Sequence, residues 1–177
     1  MHVIGIEKMD SFIVNNKKYE VIEFLGKGKS GYSYKVKDAS NNILCLKKIH
    51  HEPCDYYQFS DKLLVEIDDY NKLIDLIKMP KLIDVDYENE IIIKEYIDGK
   101  EVNKLIENKE LERKYLFQIK RIADLCKANN LNIDYYPTNF IIKDNILYYV
   151  DYECNNYMKE WDYDNWGRKY WENIDDC

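Results

Sequence analysis

The sequence predicts an α+β protein in two parts, a β-rich half over residues 1–98 and a mainly helical half over 99–177. Three features predict it. In the first half, short apolar runs are separated by polar breaks such as Asn15-Asn16, the punctuation of β-hairpins. Two longer stretches, Ser60 to Lys78 and Leu111 to Asn129, repeat apolar residues at helical spacing. Between them Asp98-Gly99 interrupts the pattern, and such a turn pair marks the boundary of the two parts.

The elements follow in order. Phe12-Ile13-Val14 and Lys17 to Leu25 read as one hairpin, and Gly31 to Lys37 and Ile43 to Ile49 as a second around polar Asp38 to Asn42. In the first helix Leu63, Leu64, Ile67, Tyr70, Leu73, Ile74 and Ile77 recur on helical spacing, with Ser60 as N-cap and Pro80 as terminator. Leu82 to Asp86 and Ile91 to Tyr96 form a strand pair around Tyr87-Glu88-Asn89. A short helix spans Glu101 to Ile106, and a longer one spans Leu111 to Asn129 with Leu116, Ile119, Ile122, Ala123 and Cys126 on its apolar face. Phe140-Ile141-Ile142 and Ile146 to Val150 flank the turn Lys143-Asp144-Asn145 as a last hairpin, and an acidic, aromatic segment follows.

Composition narrows the function classes. With 177 residues the chain is long enough for one ordinary domain, or for two small lobes sharing a cleft. A net charge of −7, with acidic residues scattered throughout, offers no basic face to nucleic-acid phosphates. The five cysteines (Cys45, Cys54, Cys126, Cys154 and Cys177) form no C-x-x-C pair and follow no secretory signal, so a disulfide framework is not expected and a reducing cytoplasm is. No run approaches the length of a membrane span, so a soluble protein is expected. His50, His51 and Cys54 lack a fourth ligand at sensible spacing and read as a polar loop rather than a metal site. The 17 tyrosines read mainly as amphipathic packing, ring buried and hydroxyl partnered.

Two constellations carry chemistry. Gly26-Lys27-Gly28-Lys29-Ser30-Gly31 lies between two predicted strands. Its glycines let backbone N–H groups approach phosphate oxygens, although a Gly-rich hairpin without a ligand has the same spelling. A dinucleotide-binding version should open a helix, whereas Tyr32 to Val36 has strand character. On the next strand Lys47 is placed to hold α- and β-phosphates, with Lys48 as the alternative if the register shifts by one. Glu66 on the following helix is the carboxylate expected to fix that lysine. The second constellation is Asn132-Ile133-Asp134-Tyr135-Tyr136-Pro137-Thr138-Asn139, followed one hairpin later by Asp151-Tyr152-Glu153. It places three oxygen-bearing side chains, Asp134, Asn139 and Asp151, in one short stretch of chain.

In this order the elements resemble the protein-kinase-like superfamily: Gly-rich loop, strand lysine, helical glutamate, catalytic loop and metal motif. The resemblance covers about Tyr19 to Glu153, and the tail Trp161 to Trp171 is similar to that of small bacterial chains described as serine/threonine kinases. It implies a bilobal fold with a β-rich small lobe and a truncated helical large lobe, and Mg-ATP as cofactor. It implies Asp134 as catalytic aspartate with Lys47 and Glu66, and Asn139 and Asp151 as metal ligands. It also implies Gly26, Gly28, Gly31 and Lys47 at the phosphates, and backbone near Glu95 and Ile97 at the adenine edge. The acceptor is an unidentified protein or small-molecule hydroxyl.

The departures are as informative. Asn132-Ile133 replaces the usual His-Arg, which removes the arginine that a phosphorylated activation loop would need. Tyr136 stands where a lysine is usual, and Glu153 replaces the Gly of the metal motif, as in RIO-type, choline-kinase-like and aminoglycoside-phosphotransferase-like enzymes. The 24 residues from Cys154 to Cys177 are too few for a full activation segment and its helices. They are expected to form a helix or turn closing the core under the catalytic loop, with Asp162 or Asp164 accepting N–H groups from that loop. Two other readings stay open: a small-molecule kinase, and a nucleotide-binding pseudokinase serving as an interaction module.

Overall fold

The computed structural model describes residues 10–53 and 61–172. The expected N-cap, Ser60, lies outside them, as do Cys54 and Cys177. The protein is a mixed α and β structure whose described residues divide into two compact units: the chain up to Leu63 with Leu82–Tyr96, and Leu64–Lys81 with Ile97 onward. The first helix, assigned with the β-rich half from the sequence, thus groups from Leu64 with the second unit.

The first unit holds one antiparallel six-stranded sheet. Its strands are β1 (Ser11–Val14), β2 (Lys17–Lys27), β3 (Gly31–Lys37), β4 (Ile43–Ile49), β5 (Leu82–Asp86) and β6 (Ile91–Glu95), in the spatial order β1-β2-β3-β4-β6-β5. The β1–β2 turn has Asn15 and Asn16 at φ of 46° and 65°. Positive φ at both central residues matches the right-handed twist of the flanking strands, and asparagine tolerates it. Asp86 closes the β5–β6 turn by accepting from the backbone and side-chain amides of Asn89, each at 2.9 Å. One face packs Phe12, Val14, Tyr19, Val36, Leu46, Ile91 and Ile93 into a core. Two register shifts in β2, between Val21 and Glu23 and between Phe24 and Gly26, disrupt the alternation there and leave Ile22, Phe24 and Leu25 exposed.

In the second unit, α1 (Lys62–Leu73) runs on from the first. It ends five residues short of the expected Lys78, and the reason is tertiary. The Lys78 carbonyl accepts the Tyr149 N–H at 3.0 Å and the Pro80 carbonyl accepts the Tyr152 hydroxyl at 2.8 Å, bonds that favour an extended segment over another helical turn. Next come β7 (Lys100–Glu101), α2 (Val102–Glu107) and α3 (Arg113–Ala128). The buried stripe of α3 is Tyr115, Ile119, Ile122, Ala123 and Cys126, so Tyr115 takes the inward place expected of Leu116. Then follow β8 (Leu131–Ile133), a 3-10 turn over Pro137–Asn139, β9 (Phe140–Lys143), β10 (Ile146–Tyr149) and β11 (Cys154–Asn156). They form two small sheets, β10-β9-β7 and β11-β8. The outer edge of β10 is covered by Gln118, which donates to the Asn145 carbonyl and accepts from the Leu147 N–H, both at 2.9 Å. A covered edge does not recruit another strand.

The tail forms a 3-10 turn (Lys159–Trp161), a π-helical turn (Tyr163–Gly167) and α4 (Arg168–Glu172). It closes under the 134–139 loop as expected, but through a different residue: the indole of buried Trp171 donates to the Tyr135 carbonyl at 2.7 Å. Asp162 does not accept from that loop. Its carboxylate takes the Asn165 N–H and the Tyr157 hydroxyl, each at 2.8 Å, and caps its own turn. Asp164 pairs with Lys120 at 2.9 Å. Among the described residues no helix is long and apolar enough to cross a membrane.

The core of the second unit carries an alkaline liability. Burial pushes the Cys126 thiol up to about 11, and burial together with Asp69 pushes Cys154 up to about 12, from an ordinary 9.0. Burial also raises Tyr135, Tyr149 and Tyr163. Above pH 9 the unfolded chain releases thiol protons that the folded chain retains, so the unfolded state binds fewer protons and stability falls with pH. The contribution is whole below pH 9 and is lost as pH rises through 11 and 12. Each group removes about 1.4 kcal/mol per pH unit within its window. Thermal melts should therefore be nearly flat from neutrality to pH 9 and fall steeply beyond it, while a midpoint unchanged at pH 11 would contradict this origin.

Candidate functional site

In the first unit the Gly-rich segment forms the turn joining β2 and β3. The Gly28 N–H donates to the Gly31 carbonyl at 2.8 Å, and the His50 N–H donates to the Ser30 carbonyl at 2.9 Å. The His50 ring lies 2.9 Å from the Gly28 carbonyl, and His51 pairs with Glu90 at 2.6 Å. Both histidines are thus tied to polar neighbours. Among the described residues, no group of three or more His, Cys, Asp or Glu is placed to hold a metal unaided.

Lys47 lies on β4, between Ser33 of β3 and Ile92 of β6. Strand alternation turns it away from the face that carries Leu46 into the core. It is buried, with 9% of its surface exposed, and its stem crosses Gly31: a Cβ at Gly31 would lie 3.1 Å from Lys47 Cγ and 3.2 Å from Cε. The third glycine of the motif therefore makes room for the lysine. Lys48 points to the other face and donates to the Asn89 carbonyl. At the rim of the turn, Lys27 and Tyr32 both bond the Glu52 carboxylate, a contact with no forewarning in the sequence pattern. Through these bonds the Glu52 carboxylate raises the Lys27 pKa, while Lys27 first and Tyr32 second lower that of Glu52. Glu95 ends β6 opposite Leu44.

In the second unit Glu66 is buried on α1, and Ile97 is buried where the unit resumes. The other three predicted site residues come together. Asp134 follows β8, Asn139 closes the 3-10 turn, and Asp151 lies two residues beyond β10. The Val150 N–H donates to the Asn139 carbonyl at 2.9 Å, placing Asp151 beside Asn139. The Asn139 amide donates to the Asp134 carbonyl at 3.3 Å. Antiparallel pairing of Ile133 with Cys154 sets Asp134 across from Glu153. The carboxylate of Asp134 accepts the Tyr136 N–H at 3.0 Å, and that of Asp151 accepts the Tyr152 N–H at 2.7 Å. Each carboxylate is thus aimed by the backbone two residues or one residue further on.

Tyr149 is the residue that sequence reasoning missed. Its hydroxyl donates to the Glu153 carbonyl at 2.7 Å and receives the Asp134 N–H at 3.4 Å, bridging both loops. Burial first, then the charge of Asp151, raises its pKa well above the ordinary tyrosine value, so the proton stays on. A signal was present: alternation in Ile146-Leu147-Tyr148-Tyr149 turns Leu147 and Tyr149 inward, and a buried tyrosine hydroxyl needs a polar partner nearby.

The donor set suits a magnesium ion shared with phosphates. That ion favours oxygen and takes one or two protein ligands, with phosphate and water completing the shell. Because the Asn139 nitrogen is committed to the Asp134 carbonyl, its amide oxygen is the atom left to bind. No protein-family model matches this chain, and no curated protein matches it.

Proposed function

We propose that this protein is a Mg-ATP-dependent phosphotransferase of the protein-kinase-like type, a minimal serine/threonine kinase of bilobal design. The observation that carries the reading is the convergence of Asp134, Asn139 and Asp151 through the Val150–Asn139 and Tyr149 hydrogen bonds. Three residues that one reaction needs, scattered over 18 positions from Asp134 to Asp151, meet at the ends of two small sheets. The buried Lys47 beside the glycine turn supports the phosphate-binding half of the same reading.

Asp134 orients the acceptor hydroxyl and takes its proton. The acceptor oxygen forms a bond to the γ-phosphorus, the bond from that phosphorus to the β–γ bridging oxygen breaks, and ADP leaves with that electron pair. Asn139 and Asp151 would hold a magnesium ion, which would supply positive charge to offset that of the phosphates. Lys47 and the backbone of Gly26 to Gly31 hold the phosphates. Glu66 as partner of the lysine, and backbone near Glu95 and Ile97 for adenine, belong to the same proposal.

The test is incubation of the full chain with labelled ATP, Mg²⁺ and a generic protein acceptor, alongside thermal melts. Transfer of label is expected, with Asp134→Ala and Asp151→Ala each reducing it on the order of 10²-fold or more. Mg-ATP should raise the melting temperature of the parent and of Asp134→Ala but not of Asp151→Ala. A chain that Mg-ATP does not stabilise at all refutes the proposal, and stabilisation without transfer makes it a nucleotide-binding interaction module.

A further inference from the structure

The segment after α1, one face of α3 and the turn into β10 surround a cavity of about 400 Å³, a volume within the range of small-molecule sites, about 300–1,000 Å³. All of its walls belong to the second unit. Buried Ile77, Ile122 and Leu147 form the floor, and Leu76, Leu125 and Ile146 form a partly exposed rim. Hydrogen bonds hold these walls in place. The Ile77 N–H donates to the Leu73 carbonyl at 3.1 Å and the Lys78 carbonyl accepts the Tyr149 N–H at 3.0 Å. Gln118 joins α3 to the turn through both ends of its amide, each at 2.9 Å.

The apolar surface is aliphatic throughout. In a chain with 17 tyrosines and three tryptophans, none of the described residues that line this cavity is aromatic. A flat ring finds no stacking face here, whereas a flexible alkyl chain conforms to branched side chains and removes their surface from water.

The charge is cationic. Lys78 and Arg121 both line the cavity, and among the described residues neither forms an ion pair. Every other basic side chain of α3 is engaged: Lys114 with Glu112 at 3.1 Å, Lys120 with Asp164 at 2.9 Å, and Arg113 and Lys127 over the rings of Phe117 and Tyr157. Asp124, the one carboxylate of α3, is also taken by Lys120, at 3.5 Å. The Asn145 side-chain oxygen receives Lys114 at 2.9 Å and the Gln118 amide is committed at both ends, so the two cations set the charge of the occupant. In a chain of net charge −7, an anion is attracted only where cations are concentrated locally. The guanidinium fork matches a carboxylate with two parallel bonds. Arg121 lies in the middle of α3, where backbone N–H groups are spent within the helix and none is left to add to a phosphate.

We propose that this cavity binds a straight-chain aliphatic carboxylate, its oxygens on Arg121 and Lys78 and its chain across Ile77, Ile122 and Leu147. The site stands apart from the phosphotransfer reading and is measurable without turnover.

The experiment titrates the full chain with octanoate by calorimetry, with butanoate, hexanoate, 1-octanol, octylamine and octyl phosphate as comparisons. Affinity should rise about two- to fourfold with each methylene from butanoate to octanoate. Arg121→Gln and Lys78→Gln should each weaken octanoate about tenfold. Leu125→Glu, at the exposed rim, should abolish octanoate binding while leaving the melting temperature of the free protein essentially unchanged. Absence of saturable octanoate binding, or equal affinity for butanoate and octanoate, overturns the site. Equal affinity for 1-octanol or octylamine, or an undiminished affinity in Arg121→Gln, overturns the carboxylate assignment, and tighter binding of octyl phosphate replaces it with a phosphate. A leucine- and glutamate-rich peptide that binds where octanoate does not makes the cavity a peptide surface and refutes the small ligand.

Discussion

Gly31→Ala will destabilise the protein by about 2 kcal/mol, the middle of the range for forcing a methyl group into packed structure. The urea midpoint should fall on the order of 1 M at unchanged slope. A Cβ at this position would lie 2.6 Å from the Lys48 carbonyl oxygen as well as against the Lys47 stem. The lysine stem could yield, but the oxygen belongs to β4, which is paired on both sides, by β3 and by β6. Replacing glycine by alanine also restricts the unfolded chain, a gain of about 0.4–1 kcal/mol, which the collision exceeds. Gly28→Ala is the matched control: its nearest neighbour would be the Gly31 carbonyl oxygen at 3.8 Å, an ordinary contact. That variant should stay within about 0.5 kcal/mol of the parent. If phosphates approach this turn, Gly28→Ala should still weaken stabilisation by Mg-ATP, which separates a glycine kept for a ligand from one kept for a neighbouring strand. Equal stability of the parent and Gly31→Ala would show that β4 is free to shift.

Much of the first unit was legible because its signals are local. Asn15-Asn16 there, like Asp144-Asn145 in the second unit, sits at positive φ in a two-residue turn, and such turns fix the register of the strands they join. Alternation along Ile43 to Ile49 then assigns Lys47 and Lys48 to opposite faces. What was not legible depends on partners distant in sequence. Leu131-Asn132-Ile133 is buried at all three positions and so shows no alternation, and Cys154-Asn155-Asn156 has the composition of a turn. Each becomes a strand only because the other pairs with it, with the Asn132 amide held by the Met158 carbonyl at 2.8 Å. The same limit explains Trp171, whose bond to Tyr135 spans 36 residues; Asp162 instead takes local partners, Asn165 and Tyr157, in place of the loop expected from the sequence. Spacing singled out Asp134, Asn139 and Asp151 as candidates, whereas the hydroxyl that ties their loops together was signalled only by the alternation along Ile146 to Tyr149.

Tyr149→Phe tests that tie. The substitution keeps the ring in a site with no exposed surface and removes one oxygen. The Asp134 N–H and the Glu153 carbonyl then lose their shared partner. A buried polar group left unpaired costs about 1–3 kcal/mol, and the bond at 2.7 Å should account for more of the loss than the one at 3.4 Å. A stability loss of about 2–3 kcal/mol is therefore expected. Under the phosphotransfer reading, kcat should fall on the order of tenfold, because Asp134 is no longer held across from Glu153. The KM for Mg-ATP should change less, since Lys47 lies on β4 and is untouched. The profile against pH distinguishes positioning from proton donation. With its pKa held well above the ordinary value, the Tyr149 hydroxyl keeps its proton throughout the working range, so the ratio of parent to variant activity should be constant from pH 6 to 9. A ratio that varies with pH would make Tyr149 a participant in proton transfer, and an unchanged kcat alongside the stability loss would confine the tie to folding.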